Sequence, residues 1–189
     1  MKTLYISAAH KSSGKTTISL GLAAALRHQG HRVQSFKKGP DYIDPLWLSQ
    51  ASGRPCFNLD FHTQTPEEIR QMIASRASQV DIALIEGNKG LFDGLALDGS
   101  DSNAALASLL NTPVVLVIDT RGITRGIAPL LSGYMNFDPD ITIAGVILNQ
   151  VGGQRHETKL RQAVEYYTGL PVIGAVRKNP ELQIDERHL

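Results

Sequence analysis

A doubly wound, mainly parallel α/β sheet flanked by helices is the fold this sequence predicts, and three observations predict it. Short apolar runs rich in β-branched residues recur along the chain, as in strands buried on both faces. Stretches with helical spacing separate them, and such alternation builds parallel strands joined by helical crossovers. Polar residues at Lys37, Glu86, Asp119 and Asn149 follow the runs directly or after one residue, and ligands of open α/β sheets bind at the carboxyl ends of strands. With 189 residues and 42% hydrophobic content, the chain buries one sizeable core, so a single domain over 1–189 is expected.

Thr3 to Ala8 is the first predicted strand, and it leads into Ala9-His10-Lys11-Ser12-Ser13-Gly14-Lys15-Thr16-Thr17. An alanine- and leucine-rich helix, Thr17 to His28, follows, and strand-loop-helix is the context of a phosphate-binding loop. Backbone N–H groups at such a loop and helix N-terminus offer unpaired donors and positive partial charge to an anion. Gly14 lets the backbone approach closely, Lys15 adds a charge for the outer phosphates, and Thr16 offers a hydroxyl to magnesium. All nine residues are candidates for contact with ATP. Ala9 replaces the usual first glycine, which is tolerable only at negative φ, and Ser12 and Ser13 stand where glycines are common. The alternative is a chance match in a serine-rich turn.

The second strand, Val33 to Phe36, runs into Lys37-Lys38-Gly39-Pro40-Asp41-Tyr42-Ile43-Asp44-Pro45, whose Gly, Pro and Asp residues suit a rigid turn. A phosphate-bound magnesium ion needs at least one carboxylate beside the threonine hydroxyl, and Asp41 is the nearer candidate. Asp41 or Asp44 could instead cap a helix from Leu46. After a helix at Pro66 to Gln79, the third strand, Ile82 to Ile85, ends in Glu86-Gly87-Asn88-Lys89-Gly90-Leu91-Phe92-Asp93-Gly94. A carboxylate at the end of a core strand is costly without a cation or donors, so Glu86 reads as a Walker B-like metal ligand. The other readings are a glycine-rich turn and, for Asp93, a turn aspartate. Helices at Asn103 to Leu110, Thr124 to Met135 and His156 to Thr168 alternate with strands at Val114 to Ile118, Ile143 to Leu148 and Val172 to Val176.

Nineteen basic residues face 18 acidic ones with no basic run longer than Lys37-Lys38. That leaves no electrostatic footprint for nucleic acid or an anionic membrane and favours small-molecule chemistry. The lone Cys56 excludes an intramolecular disulfide. With no signal peptide and no apolar run of membrane-spanning length, a cytoplasmic protein is expected.

Several segments together resemble the cobyrinic acid a,c-diamide synthase family, amidoligases that convert tetrapyrrole acetate side chains to amides. They are the loop through Thr17, Phe36 to Pro45, Asn58-Leu59-Asp60, Ile85 to Gly94, Phe137-Asp138-Pro139, Ala144 to Asn149, Leu170-Pro171-Val172 and Glu186-Arg187-His188-Leu189. The wider dethiobiotin synthetase-like P-loop superfamily shares the loop and the strand-end carboxylates but not the Gly39 to Asp44 run. The resemblance implies ATP and Mg²⁺ as cofactors and a tetrapyrrole acid, cobyrinic acid or a sirohydrochlorin or sirohaem compound, as acceptor. It implies that Thr16, Asp41 and Glu86 hold magnesium and that Lys15 neutralises the outer phosphates. Lys37 would steady the substrate carboxylate or acyl phosphate, Asp44 and Asp93 would orient substrate, and Asn149 would read the adenine edge.

Two departures stand out. Family members continue into a glutamine amidotransferase domain, and Cys56 lacks the flanks of a glutaminase nucleophile, so the 189 residues are expected to be the ATP-binding half, a fragment or one part of a split protein. Asn88-Lys89 replaces an apolar pair, which leaves the acceptor open. The competing reading is a ParA- or MinD-like switch that forms a homodimer around ATP through a second lysine; His10 occupies that position and Lys11 lies one residue away. A dethiobiotin synthetase-like carboxylation ranks last.

Overall fold

Seven parallel strands carry the described residues, because the apolar runs have two faces to bury and helices cover both. In the computed structural model, which describes residues 2–182 and 184, they are β1 (Lys2–Ala8), β2 (Val33–Lys38), β3 (Phe57–Leu59), β4 (Ile82–Glu86), β5 (Val114–Asp119), β6 (Ile143–Val151) and β7 (Val172–Arg177). The helices are α1 (Lys15–His28), α2 (Asp44–Ser52), α3 (Pro66–Arg76), α4 (Asn103–Leu109), α5 (Ile127–Phe137) and α6 (Gln154–Thr168). The Glu186 to Leu189 motif lies outside the described residues. None of the described helices is long and apolar enough to cross a membrane.

The strand order is β3-β2-β4-β1-β5-β6-β7, and all pairings are parallel. Side chains alternate across the sheet as the twofold strand period requires. Tyr5 and Leu116 join a cluster with Ile69, Leu106, Leu131 and Leu160 of α3 to α6. Ile6, Val115 and Val117 join a second cluster with Ile18 and Ala23 of α1. Burial on both faces explains why the central runs contain so few polar positions.

The predicted strands are all present, and β3 is the one not predicted. It has three residues with Asn58 in the middle, too few for a periodic signal, and it exists because its backbone extends the sheet from Phe36, Lys37 and Lys38. Helix ends differ from expectation where local geometry intervenes. α1 begins at Lys15 because Gly14 adopts φ +93°, and α3 is started by a reciprocal Thr65–Glu68 capping box.

β1 lies between β4 and β5. The chain leaves it toward β2 on one side and later returns past it from β4 to β5 on the other. This change of direction opens a crevice at the carboxyl ends of the central strands, where the loops after β1, β2 and β4 meet. Leu116→Ala, in a residue with no exposure, should cost about 2–5 kcal/mol in urea unfolding. Leu97→Ala, on a fully exposed loop residue, should stay within about 0.5 kcal/mol.

Candidate phosphate and metal site

The loop between β1 and α1 is an open cradle of donors. Ala9 N–H still joins the sheet by donating to Val117 O at 3.4 Å. Among the described residues, the backbone N–H groups of His10 through Thr17 then donate to no protein acceptor. Ser12 (φ +62°) and Gly14 (φ +93°) take left-handed conformations that curl the backbone around this concavity. Ser13 Oγ donates to His10 O at 2.8 Å, which closes the curl. Ala9 has no positive φ, as its replacement of glycine requires, and its methyl is buried in the larger core cluster.

Gly14 is constrained by space as well as by φ. A Cβ there would lie 2.0 Å from Asn149 Nδ2. That amide donates to Ser13 O at 2.9 Å, while Asn149 O accepts from both the N–H and the hydroxyl of Thr120. Asn149 therefore sits against the loop after β1 and grips its backbone, with its side-chain amide engaged at Ser13 O rather than left open for an adenine edge.

Behind the loop lies a buried charge cluster. Thr16 Oγ1 donates to Glu86 Oε1 at 2.8 Å and lies 3.4 Å from Asp44 Oδ2. Lys37 Nζ donates to Glu86 Oε1 at 2.8 Å and to Gly87 O at 3.1 Å, and pairs with Asp44 Oδ2 at 2.8 Å. Burial pulls the Lys37 ammonium down, but the Glu86 and Asp44 carboxylates outweigh it, so Lys37 titrates above the ordinary lysine value. Lys15 Nζ donates to Lys89 O. Its burial and the nearby Lys37 charge pull it down to about 8, against the attraction of Glu86, Asp44 and Asp93.

The donor set fits a magnesium ion. Glu86 Oε2 is buried with no hydrogen-bond partner, and the Lys37 ammonium shows that positive charge is held between the two carboxylates. Among the described residues no cluster of three or more His, Cys, Asp or Glu side chains is arranged for a metal. Two carboxylates and a hydroxyl suit an ion that keeps several waters and takes phosphate oxygens for the rest.

Asp44, expected to orient substrate, lies where Asp41 was expected as metal ligand, and Asp41 is drawn into the turn. Asp41 Oδ1 accepts from the N–H groups of Ile43 and Asp44 at 2.9 and 3.0 Å, so it holds the turn into α2. Asp44, buried at the first position of that helix, is the one beside Thr16. Asp93 accepts from Gly90 N–H at 2.9 Å and is exposed, so it shapes the turn while its charge is felt at Lys15.

Sequence reasoning missed Asn103. Its Oδ1 accepts from Tyr5 and Asn88 N–H, and its amide donates to Asn88 O and Gly90 O. This fully buried residue of α4 thereby fixes the loop after β4. Gly87 fits because a Cβ would lie 2.6 Å from Asn103 Oδ1. Only a core asparagine at a helix start hinted at it. Shallow cavities of about 550 and 560 Å³ lie elsewhere, along α5 and α6, and contain none of the residues above.

Comparison with known proteins places the chain in a nucleotide-binding family. A family described as the CobQ/CobB/MinD/ParA nucleotide binding domain matches residues 6–189. The chain is 50% identical to a cobyrinate a,c-diamide synthase of Magnetococcus marinus over 98% of this chain and 40% of the relative. It is 47% identical to a hydrogenobyrinate a,c-diamide synthase of Brucella anthropi over 100% of this chain and 43% of the relative. The chain thus spans about two fifths of the length of these relatives. The signal recognition particle 54 kDa protein of Aeropyrum pernix, solved with GDP, superposes with a TM-score of 0.65 at 17% identity, covering 94% of this chain and 42% of that one. At that identity the likeness is one of fold alone.

A phosphate bound at Lys15 would make binding pH-dependent. An anion on Lys15 favours its protonated form, so binding takes up a proton wherever the free lysine is neutral. Nucleotide affinity should be level below about pH 8 and fall as pH rises through it. The loss should approach about tenfold per pH unit, measured by calorimetric titration with ATP in buffers of different ionisation heat.

Proposed function

The chain belongs to the CobQ/CobB/MinD/ParA nucleotide-binding domain family, and from that premise we propose that it is the ATP-binding, phosphorylating part of a tetrapyrrole amidoligase. Its substrates are the a and c acetate carboxylates of cobyrinate, hydrogenobyrinate or a related macrocycle. The observation that carries this reading is the buried Thr16–Glu86–Asp44–Lys37 cluster directly behind an open cradle of N–H groups. The names of the relatives support the same chemistry.

Amide formation from a carboxylate needs a better leaving group than oxide. A substrate carboxylate oxygen attacks the γ-phosphorus of ATP, the bond to the β–γ bridging oxygen breaks, and ADP leaves. Ammonia then adds to the acyl phosphate carbon, loses a proton, and phosphate departs. The free N–H groups of residues 10–17 cradle the phosphates, and Lys15 exchanges Lys89 O for a phosphate oxygen. Thr16, Glu86 and Asp44 would hold magnesium, which supplies charge neutralisation at the phosphates when bound. The expectation that Asp41 is a ligand gives way to Asp44, which lies at Thr16, while Asp41 orders the turn that delivers it.

Lys37 is poised to steady the carboxylate or the acyl phosphate, and Asp93 to orient the acceptor at the rim. Asn149 acts on the nucleotide through Ser13 and Gly14. A glutamine amidotransferase domain outside this chain would supply the ammonia. Against a nucleotide-driven dimer switch, the position of the second lysine is filled by His10, whose ring bonds within the loop to Lys11 O and Ser13 Oγ.

Joined to a glutamine amidotransferase domain and given ATP, magnesium and glutamine, the chain should convert cobyrinate or hydrogenobyrinate to mono- and diamide, read by mass spectrometry. ATP-dependent dimerisation in light scattering, with no acceptor-stimulated phosphate release, would sink the amidoligase reading. Lys15→Ala should lose tight ATP binding in calorimetry. Glu86→Gln should keep nucleotide binding at low magnesium yet fall by about 100-fold or more in phosphoryl transfer, since it removes a ligand charge from the metal; retained turnover would remove Glu86 from the metal site.

A further inference from the structure

The Ala9–His10 peptide is gripped from outside the loop. The hydroxyl of Tyr134, on α5 and 125 residues away in sequence, donates to Ala9 O. Gly90 walls the same oxygen so closely that a Cβ there would lie 2.6 Å from it. Among the described residues there is no cis peptide bond, and in a trans peptide the carbonyl and the next N–H point in opposite directions. With Ala9 O drawn toward Tyr134 and Gly90, the N–H of His10 is turned to the other side. That N–H has no protein acceptor among the described residues, and it heads the row of free donors that ends at Thr17. His10 is pinned at its other end as well, since its carbonyl accepts from Ser13 Oγ.

We propose that Tyr134 is a positioning residue for nucleotide binding, which fixes the Ala9–His10 peptide so that the His10 N–H joins the phosphate cradle. Glycine, usual at this first position, leaves the peptide free to turn. Alanine narrows the choice, and the tyrosine hydroxyl selects one orientation. Burial and the charge of Asp93 push the Tyr134 phenol above its ordinary value, so it remains a donor through neutral pH. Its ring is held independently against Phe92, with centroids 5.5 Å apart, and phenylalanine at 134 can keep that packing while losing only the hydroxyl.

The inference rests on the loop's reading as a nucleotide site, and its test separates the two. For Tyr134→Phe the Kd for Mg-ATP should rise about three- to tenfold, the range of one net hydrogen bond, with the Kd for AMP unchanged. In the wild-type chain the His10 amide resonance should move downfield on addition of ATP or pyrophosphate, and in Tyr134→Phe this movement should shrink. If the wild type binds ATP and Tyr134→Phe binds it equally, or loses AMP and ATP in the same proportion, the positioning role is overturned. A His10 resonance in the wild type that ignores saturating ATP overturns it without any variant. A wild type with no affinity for ATP overturns the nucleotide assignment and this inference together.

Discussion

The rest of the site depends on one buried ammonium. Lys37 Nζ sits 2.8 Å from both Glu86 Oε1 and Asp44 Oδ2, in a pocket where its own exposure is 4% and theirs 0 and 5%. Charges so deeply buried persist only when paired and hydrogen-bonded, because removing one partner strands the other. This requirement ties the end of β2, the end of β4 and the start of α2 to one another, and Thr16 adds the start of α1. Four elements therefore converge on this cluster for an electrostatic reason, and the crevice above them inherits a fixed geometry.

A second constraint is close backbone approach. The loop after β4 runs against the phosphate loop with Gly90 at Ala9 O and Gly87 at Asn103 Oδ1. No side chain fits at either point. Asn103 replaces with its own amide the hydrogen bonds that this loop would otherwise lack, which satisfies buried backbone groups that a sheet ladder cannot reach. The carbonyl of Lys89 is thereby held where Lys15 meets it. Lys15, lowered by burial, is linked through that loop to the same Glu86 that orders Lys37 and Thr16.

These contacts divide what was legible in the sequence from what was not. The strands of the sheet were readable because burial on both faces leaves long apolar runs, and the phosphate loop because strand, turn and helix stand in sequence. Glu86 was readable because a carboxylate at the end of an apolar strand demands a partner. Spacing favours Asp41 over Asp44 as the metal ligand, but a spacing from Lys37 that suits a metal suits a turn equally. Only the start of α2 decides that Asp41 is consumed by the N–H groups of Ile43 and Asp44 while Asp44 faces Thr16. The three-residue β3 is invisible to periodicity and exists through pairing alone.

The sequence by itself determined the fold class, the strand-turn-helix of the first loop and a carboxylate at the end of a core strand that requires a partner, because periodicity and local turn chemistry act over a few residues. Tertiary structure decided which aspartate joins the cluster, where Lys15 rests, and how Asn103, Thr120 and Tyr134 hold the loops from 15 to 125 residues away. The physical reason is that hydrogen bonds and buried charge pairs are satisfied by whatever the fold brings within about 3 Å, and no local pattern records that distance.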